Sequence, residues 1–322
     1  MRNIVKKTTL VSSLVLALSV NSMYAQSFEW ISSTEGNTWQ KSKAKLQTNA
    51  AQTPILDVSG SEEGTVFKAW VTCFNELGWD ALNMLPRKEQ ETILHKLFSP
   101  EGELKFTMGR FSMNANDYAR GWYSCDEVPG DFQLKYFNIN RDKTTLIPFI
   151  KAAQQYNPNM TFWMSPWSPP SWMKINHYYS VRSDRNQNQM SPLSDVALFE
   201  GSKEKNTKVF PQQLAVNDYF IQDPRYLQTY ANYFCKFIDA YKQQGIAISM
   251  VMFQNESWSY TNYPGCAWTA EGIIRFNTEY LAPTLKKQHP EIKLYLGTIN
   301  TNRYDVIDQV LSDLVCRLLL EK

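Results

Sequence analysis

The sequence predicts an α/β fold: a parallel barrel of the (β/α)8 type, with five βα units countable along the chain. Three observations carry this. From about residue 65 onward, short apolar runs alternate with stretches of helical spacing, the order expected of a parallel sheet with crossover helices. The run Ile248-Ser249-Met250-Val251-Met252-Phe253 is nearly all apolar, as a strand covered on both faces must be. It ends in Gln254-Asn255-Glu256, and polar residues at the carboxyl end of such a strand sit where barrels place their chemistry. A doubly wound sheet is the weaker alternative, because no Gly-rich turn follows the first strand.

Taken in order, residues 1–25 read as a secretory signal peptide. Arg2, Lys6 and Lys7 give a basic start, Leu10 to Val20 an apolar core, and Ala25 a small-residue exit. That core is too short to cross a bilayer. No later stretch is apolar enough for a membrane helix, so the mature protein is expected to be soluble and either secreted or periplasmic. Residues 26–64, with Trp30, Trp39, Ile55 and Val58 in short alternating segments, read as strands of a small β layer. Barrel strands are expected over 65–71, 104–108, 160–164, at the run ending in Glu256, and over 292–297. Helices are expected over 79–98, 141–156, 224–243 and 271–288, and a long insertion rich in Ser, Asn, Gln and Pro over 165–222.

Composition excludes several classes of function. The 33 basic and 31 acidic residues are interspersed and leave a net charge of +2, which gives no basic stripe for nucleic acid and no polybasic membrane patch. His95, His177 and His289 lie far apart, without neighbours at metal-ligand spacing. No Gly-rich phosphate loop follows a strand, so neither a metal nor a nucleotide cofactor is expected. The five cysteines are an odd number at uninformative spacings, so no disulfide is assigned and most read as buried thiols. Aromatic residues are abundant: 10 Trp, 17 Tyr and 17 Phe. An exported, aromatic-rich chain without a cofactor fits a carbohydrate substrate.

Three predicted strand ends carry a charged or polar group beside an aromatic ring. After the second strand come Gly109-Arg110-Phe111 and later Trp122-Tyr123-Ser124-Cys125-Asp126. After the third comes Ser165-Pro166-Trp167-Ser168-Pro169-Pro170-Ser171-Trp172-Met173-Lys174. After the fourth come Asn255-Glu256 and then Tyr263-Pro264-Gly265-Cys266-Ala267-Trp268, which makes Tyr263 a further substrate-binding candidate. One prolyl turn with a core Trp would be unremarkable. Three at equivalent positions point to a site.

With Cys73-Phe74-Asn75-Glu76-Leu77-Gly78-Trp79, Asn116-Asp117-Tyr118 and Gly130-Asp131-Phe132, these segments resemble the glucosylceramidase-like retaining β-glycosidases of glycoside hydrolase family 30. The resemblance covers roughly residues 28–310. It implies a (β/α)8 barrel with an attached β-sandwich, and a β-glucoside, β-1,6-glucan or related β-linked glycan as substrate. It further implies Glu256 as general acid/base and Asn255 as partner of the sugar 2-hydroxyl. Asp126 and Trp167 would hold the non-reducing unit, and Arg110 would orient the catalytic carboxylates. Ser257 replaces the usual Pro after the Glu, Ala69-Trp70-Val71-Thr72 replaces a Gly-rich run, and Asn114 stands where Gly is common. These departures bear on pocket shape rather than on reaction type.

Retaining hydrolysis uses two carboxyl groups about 5–5.5 Å apart. In the family the second, the nucleophile, ends strand seven, and only five strands are countable here. The expectation is therefore a C-terminally truncated member with an incomplete sandwich, inactive as it stands. A non-catalytic carbohydrate-binding remnant is the alternative.

Overall fold

The structure, a computed structural model, describes residues 27–45, 67–188, 190, 217–298, 300 and 303–319. The signal segment, Ile55 and Val58, and most of the second half of the insertion lie outside the described residues. The chain divides into two compact units, Met1–Phe67 and Lys68–Lys322.

In the first unit, β1 (Ser27–Thr34) and β2 (Asn37–Lys45) form an antiparallel hairpin. Its turn passes through Gly36 at φ +80, a left-handed conformation that glycine adopts without a Cβ clash.

The second unit is built on a five-stranded parallel sheet. Its strands are β3 (Val71–Phe74), β4 (Met108–Met113), β5 (Thr161–Pro166), β6 (Ile248–Met252) and β7 (Lys293–Tyr295). They lie side by side in chain order. Each crossover is helical: α1 (Glu76–Asn83) and α2 (Arg87–Phe98), then α3 (Leu146–Tyr156), then α4 (Pro224–Gln243). After β6 comes α5 (Ala270–Arg275), which runs through a wide π turn into α6 (Ala282–Gln288). Helix α7 (Tyr304–Leu319) follows β7. Sequential parallel strands with helical crossovers are the βα order of a TIM barrel, and the described residues hold five such units.

Local chemistry sets the boundaries. Helix α4 begins where Asp223 caps the Arg225 N–H and Pro224 occupies the first turn, where its missing N–H costs nothing. The predicted helix over 79–98 is instead two helices, because Pro86 breaks it. Strand β4 begins about four residues later than the sequence suggests and carries Arg110 in its interior, not in the loop beyond. Gly109 permits this. A Cβ there would meet the Phe74 ring at 2.5 Å and the Phe162 ring at 3.0 Å, so the flanking strands pack their rings over bare backbone.

The core between sheet and helices is strongly aromatic. Phe111 stacks on Tyr241 at 4.9 Å, and Trp268, Phe220 and Phe276 form a mutually stacked trio, with Trp268 5.1 Å from Phe220 and 5.5 Å from Phe276. Each fully buried ring contributes on the order of 2 kcal/mol by removal from water. Tyr123 and Tyr241 both donate to the buried carboxyl of Asp142. Cys125, Cys235 and Cys266 are buried free thiols and Cys73 is an exposed one. Among the described residues no helix is long and apolar enough to cross a membrane.

Candidate active site

The carboxyl ends of β4, β5 and β6 converge on one cluster. Arg110 pairs in register with Cys73 on β3 and Trp163 on β5. Its guanidinium lies 4.8 Å from the Trp163 ring and 4.4 Å from the Trp167 ring, so two indoles cover the cation. Arg110 Nη2 donates to Ser165 Oγ at 2.9 Å and to Asn255 Oδ1 at 2.5 Å. Within the parallel strand, rings and neutral oxygens replace part of the water around this arginine, while its buried Nε has no hydrogen-bond partner.

Asn255 and Glu256 extend the line of β6. The Asn255 N–H donates to the Pro166 carbonyl at 2.7 Å, and Thr298 Oγ1 donates to Asn255 Oδ1 at 2.9 Å. With its oxygen accepting from Arg110 and Thr298, the amide is oriented, and its NH2 is the group left for a ligand oxygen. Glu256 has φ +53, the left-handed region that costs a non-glycine residue about 1 kcal/mol or more. Its N–H, held at 3.0 Å from Thr298 Oγ1 and 3.2 Å from the Thr298 carbonyl, fixes that conformation. The Glu256 carboxylate accepts from Ser259 Oγ at 2.9 Å and from the Tyr263 hydroxyl at 3.5 Å. Asn300 in turn donates to Ser259 Oγ and accepts from the Trp258 N–H. Burial, followed by the negative charges of Glu256 and Asp117, pushes the Tyr263 phenol up to about 12. Tyr263 therefore remains a donor.

The structure thus brings five predicted site residues together: Arg110, Trp167, Asn255, Glu256 and Tyr263. It does not bring Asp126. That side chain is 2% exposed, and its Oδ1 accepts from the Val128 N–H at 3.1 Å. Its carbonyl takes the Trp172 indole N–H at 3.0 Å, and its Oδ2 has no hydrogen-bond donor. Burial first, then Asp131 and Glu127, push its pKa up to about 6, so its electrostatic neighbours are other loop carboxyls. Asp126 braces the loop after β4, and none of these partners belongs to the Glu256 cluster.

Asp117, nine residues earlier in the same loop, stands beside the cluster instead, with Glu256 and Arg110 among the charges acting on it and the Trp167 indole at its carboxyl. Burial of its inner side, then Glu256, raises its carboxyl, while Arg110 and Trp167 lower it. The available signal was position: Asp117 is the first carboxylate after β4, whereas Asp126 lies beyond a second turn.

One wall of indoles, oriented amide and hydroxyl donors, and two carboxylates at parallel strand ends suit a polyhydroxylated ligand and proton transfer to it. Among the described residues no cluster of His, Cys, Asp and Glu is arranged to hold a metal ion.

Comparison with known proteins agrees with this geometry. Residues 67–188 match the glycosyl hydrolase family 30 TIM-barrel domain. The chain is 28% identical over 258 residues to putative glucosylceramidase 3 of Caenorhabditis elegans, covering 77% of this chain and 42% of that protein. It is 25% identical over 270 residues to the endo-1,6-β-D-glucanase neg1 of Aspergillus fumigatus, covering 83% and 48%. The crystallised endo-β1,6-glucanase BT3312 shares its fold with a TM-score of 0.57 at 21% identity, covering 76% of this chain and 49% of that one. The chain spans about half the length of these relatives. With the five βα units and the cluster at their carboxyl ends, these matches show that the chain is similar to members of glycoside hydrolase family 30 and shares their barrel fold.

Proposed function

We propose that the cluster around Glu256 is the acid/base half of a retaining β-glycosidase site whose substrate is a β-glucoside or related β-linked glycan. The observation that carries this reading is the fixing of Glu256. It stands at the carboxyl end of a barrel strand, its backbone held by Thr298 and its carboxyl by Ser259 and Tyr263. The relatives named as a glucosylceramidase and an endo-1,6-β-glucanase supply the substrate class.

In this reading protonated Glu256 donates to the glycosidic oxygen as the bond to the anomeric carbon breaks. As a carboxylate it then takes a proton from the water that releases the sugar. Trp167 offers a flat apolar face to the pyranose ring, while Asp117 and the Asn255 amide take hydroxyls. The nucleophile is assigned to the barrel's remaining βα units, beyond the five described. The basic and apolar N-terminus supports action outside the cytoplasm. A purely sugar-binding role is the second reading, favoured by the indole of Trp167 and the oriented Asn255 amide, which suit a sugar ring and its hydroxyls without any bond being broken.

The test is calorimetric titration of the chain with methyl β-D-glucoside and with gentiobiose, beside Trp167→Ala. Binding that disappears in the variant, with the far-ultraviolet circular dichroism unchanged, is the expected result. No binding to either sugar would count against the site.

A further inference from the structure

Lys174 is fully buried, yet its ammonium has no carboxylate among its hydrogen-bond partners. Its Nζ donates to the carbonyls of Tyr179 and Gly265 at 2.7 Å each, to the Ser180 carbonyl at 3.2 Å and to Ser168 Oγ at 3.4 Å. A buried cation facing only neutral oxygens is costly to keep, so what those oxygens join is informative. Tyr179 and Ser180 lie in the long loop after β5, and Gly265 lies in the loop after β6. The same two loops meet through the Gly265 N–H on the Tyr179 carbonyl at 3.0 Å, and through the Val181 and Arg182 N–H groups on the Thr261 carbonyl. A Cβ at Gly265 would approach Thr261 Oγ1 to 2.5 Å, so the seam is tight. Two residues before Gly265 stands Tyr263, whose hydroxyl reaches Glu256.

We infer that Lys174 is a positioning residue of the site: its ammonium binds the loop after β5 to the loop after β6 and so holds Tyr263 against Glu256. The inference rests on the reading of Glu256 and Tyr263 as parts of a glycoside site. Burial pushes the Lys174 pKa down to about 8, against the smaller pull of Cys266 from the β6 loop and Glu127 from the β4 loop. Glu127 is tied to the same seam, since it accepts from the Tyr179 hydroxyl. The Cys266 thiol and the Tyr263 phenol are both pushed up to about 12, so neither titrates where Lys174 does. Loss of the proton would remove a donor from the cage and loosen the seam.

The experiment compares the full chain with Lys174→Met, which keeps an unbranched side chain one atom shorter and removes the charge. Amide hydrogen exchange is followed in peptides covering 259–267 and 224–243, and methyl β-D-glucoside binding in parallel. The expected result is about tenfold faster exchange in 259–267 with 224–243 unchanged, and binding weakened by about tenfold, the loss of one hydrogen bond to a charged group. Unchanged exchange in 259–267 would overturn the inference, and so would loosening that extends equally through 224–243. If the wild-type chain binds no glucoside while the local loosening is seen, the clamp stands and the glycoside reading falls. If Lys174→Met does not fold, the wild-type chain decides by NMR. The Lys174 Cε and Tyr263 ring resonances are expected to share a midpoint near pH 8, and the lack of a common midpoint would overturn the inference.

Discussion

Arg110 on β4 and Asn255 beyond β6 lie 145 residues apart in sequence, yet they share a 2.5 Å hydrogen bond at the centre of the site. The bond fixes which way the Asn255 amide faces, and so which of its atoms is left for a ligand. Lysine at 110 would keep the charge but lose the planar fork that meets Ser165 and Asn255 between two indoles. Arg110→Lys is expected to weaken glycoside binding by about tenfold or more and to destabilise the chain by about 1.5–3 kcal/mol. Urea denaturation and calorimetry check both, and a fully stable, fully binding variant would refute the role.

Glu256 stores backbone strain at φ +53. Glycine relieves it and alanine does not, so Glu256→Gly is expected to be more stable than Glu256→Ala by about 0.5–1 kcal/mol, against the ordinary cost of glycine. Equilibrium unfolding of the two variants gives the comparison. Alanine equal to or above glycine would show that the conformation carries no strain.

The two carboxyls of the β4 loop make opposite predictions. Asp117→Asn is expected to lose most glycoside affinity at nearly unchanged melting temperature, because its carboxylate faces the cluster. Asp126→Asn is expected to leave binding intact. Reversal of the two outcomes in a titration series would identify Asp126 as the sugar partner.

Asp126 also sets a pH dependence. Its folded pKa of about 6 lies above the ordinary aspartate value, so the folded state holds the proton more tightly than the unfolded chain. The stability this contributes is fully present below about pH 4 and is lost as pH rises through about 6. Asp126→Asn, which cannot ionise, is expected to flatten the stability profile between pH 4 and 6. Denaturation midpoints across that window check it, and an unchanged slope would assign the dependence elsewhere.

Much of this was legible because local chemistry and burial agreed. Helix α4 carries its own cap, its proline and a regular apolar face, and the β6 run has the composition of a strand covered on both sides. Other features depend on distant partners. Arg110 reads as the end of a strand until Ser165, Asn255 and two indoles are seen to enclose it. Lys174 closes the segment after β5, and nothing nearby in sequence announces that the carbonyls of Gly265 and Tyr179 will enclose it. The choice between Asp117 and Asp126 was hidden for the same reason. Both follow β4, and only the path of the loop decides which one faces Glu256.

The role of Glu256 is tested most directly in a protein containing all eight βα units, by comparing wild type with Glu256→Ala on aryl β-glucosides of differing leaving-group ability. A good leaving group needs little proton donation, so its glycosylation step survives the loss, whereas hydrolysis of poor leaving groups is expected to fall by about 10²–10⁴-fold. Azide added to the variant is expected to restore turnover of the activated substrate and to give the β-glucosyl azide. Equal losses across all leaving groups, with no azide product, would contradict Glu256 as the acid/base.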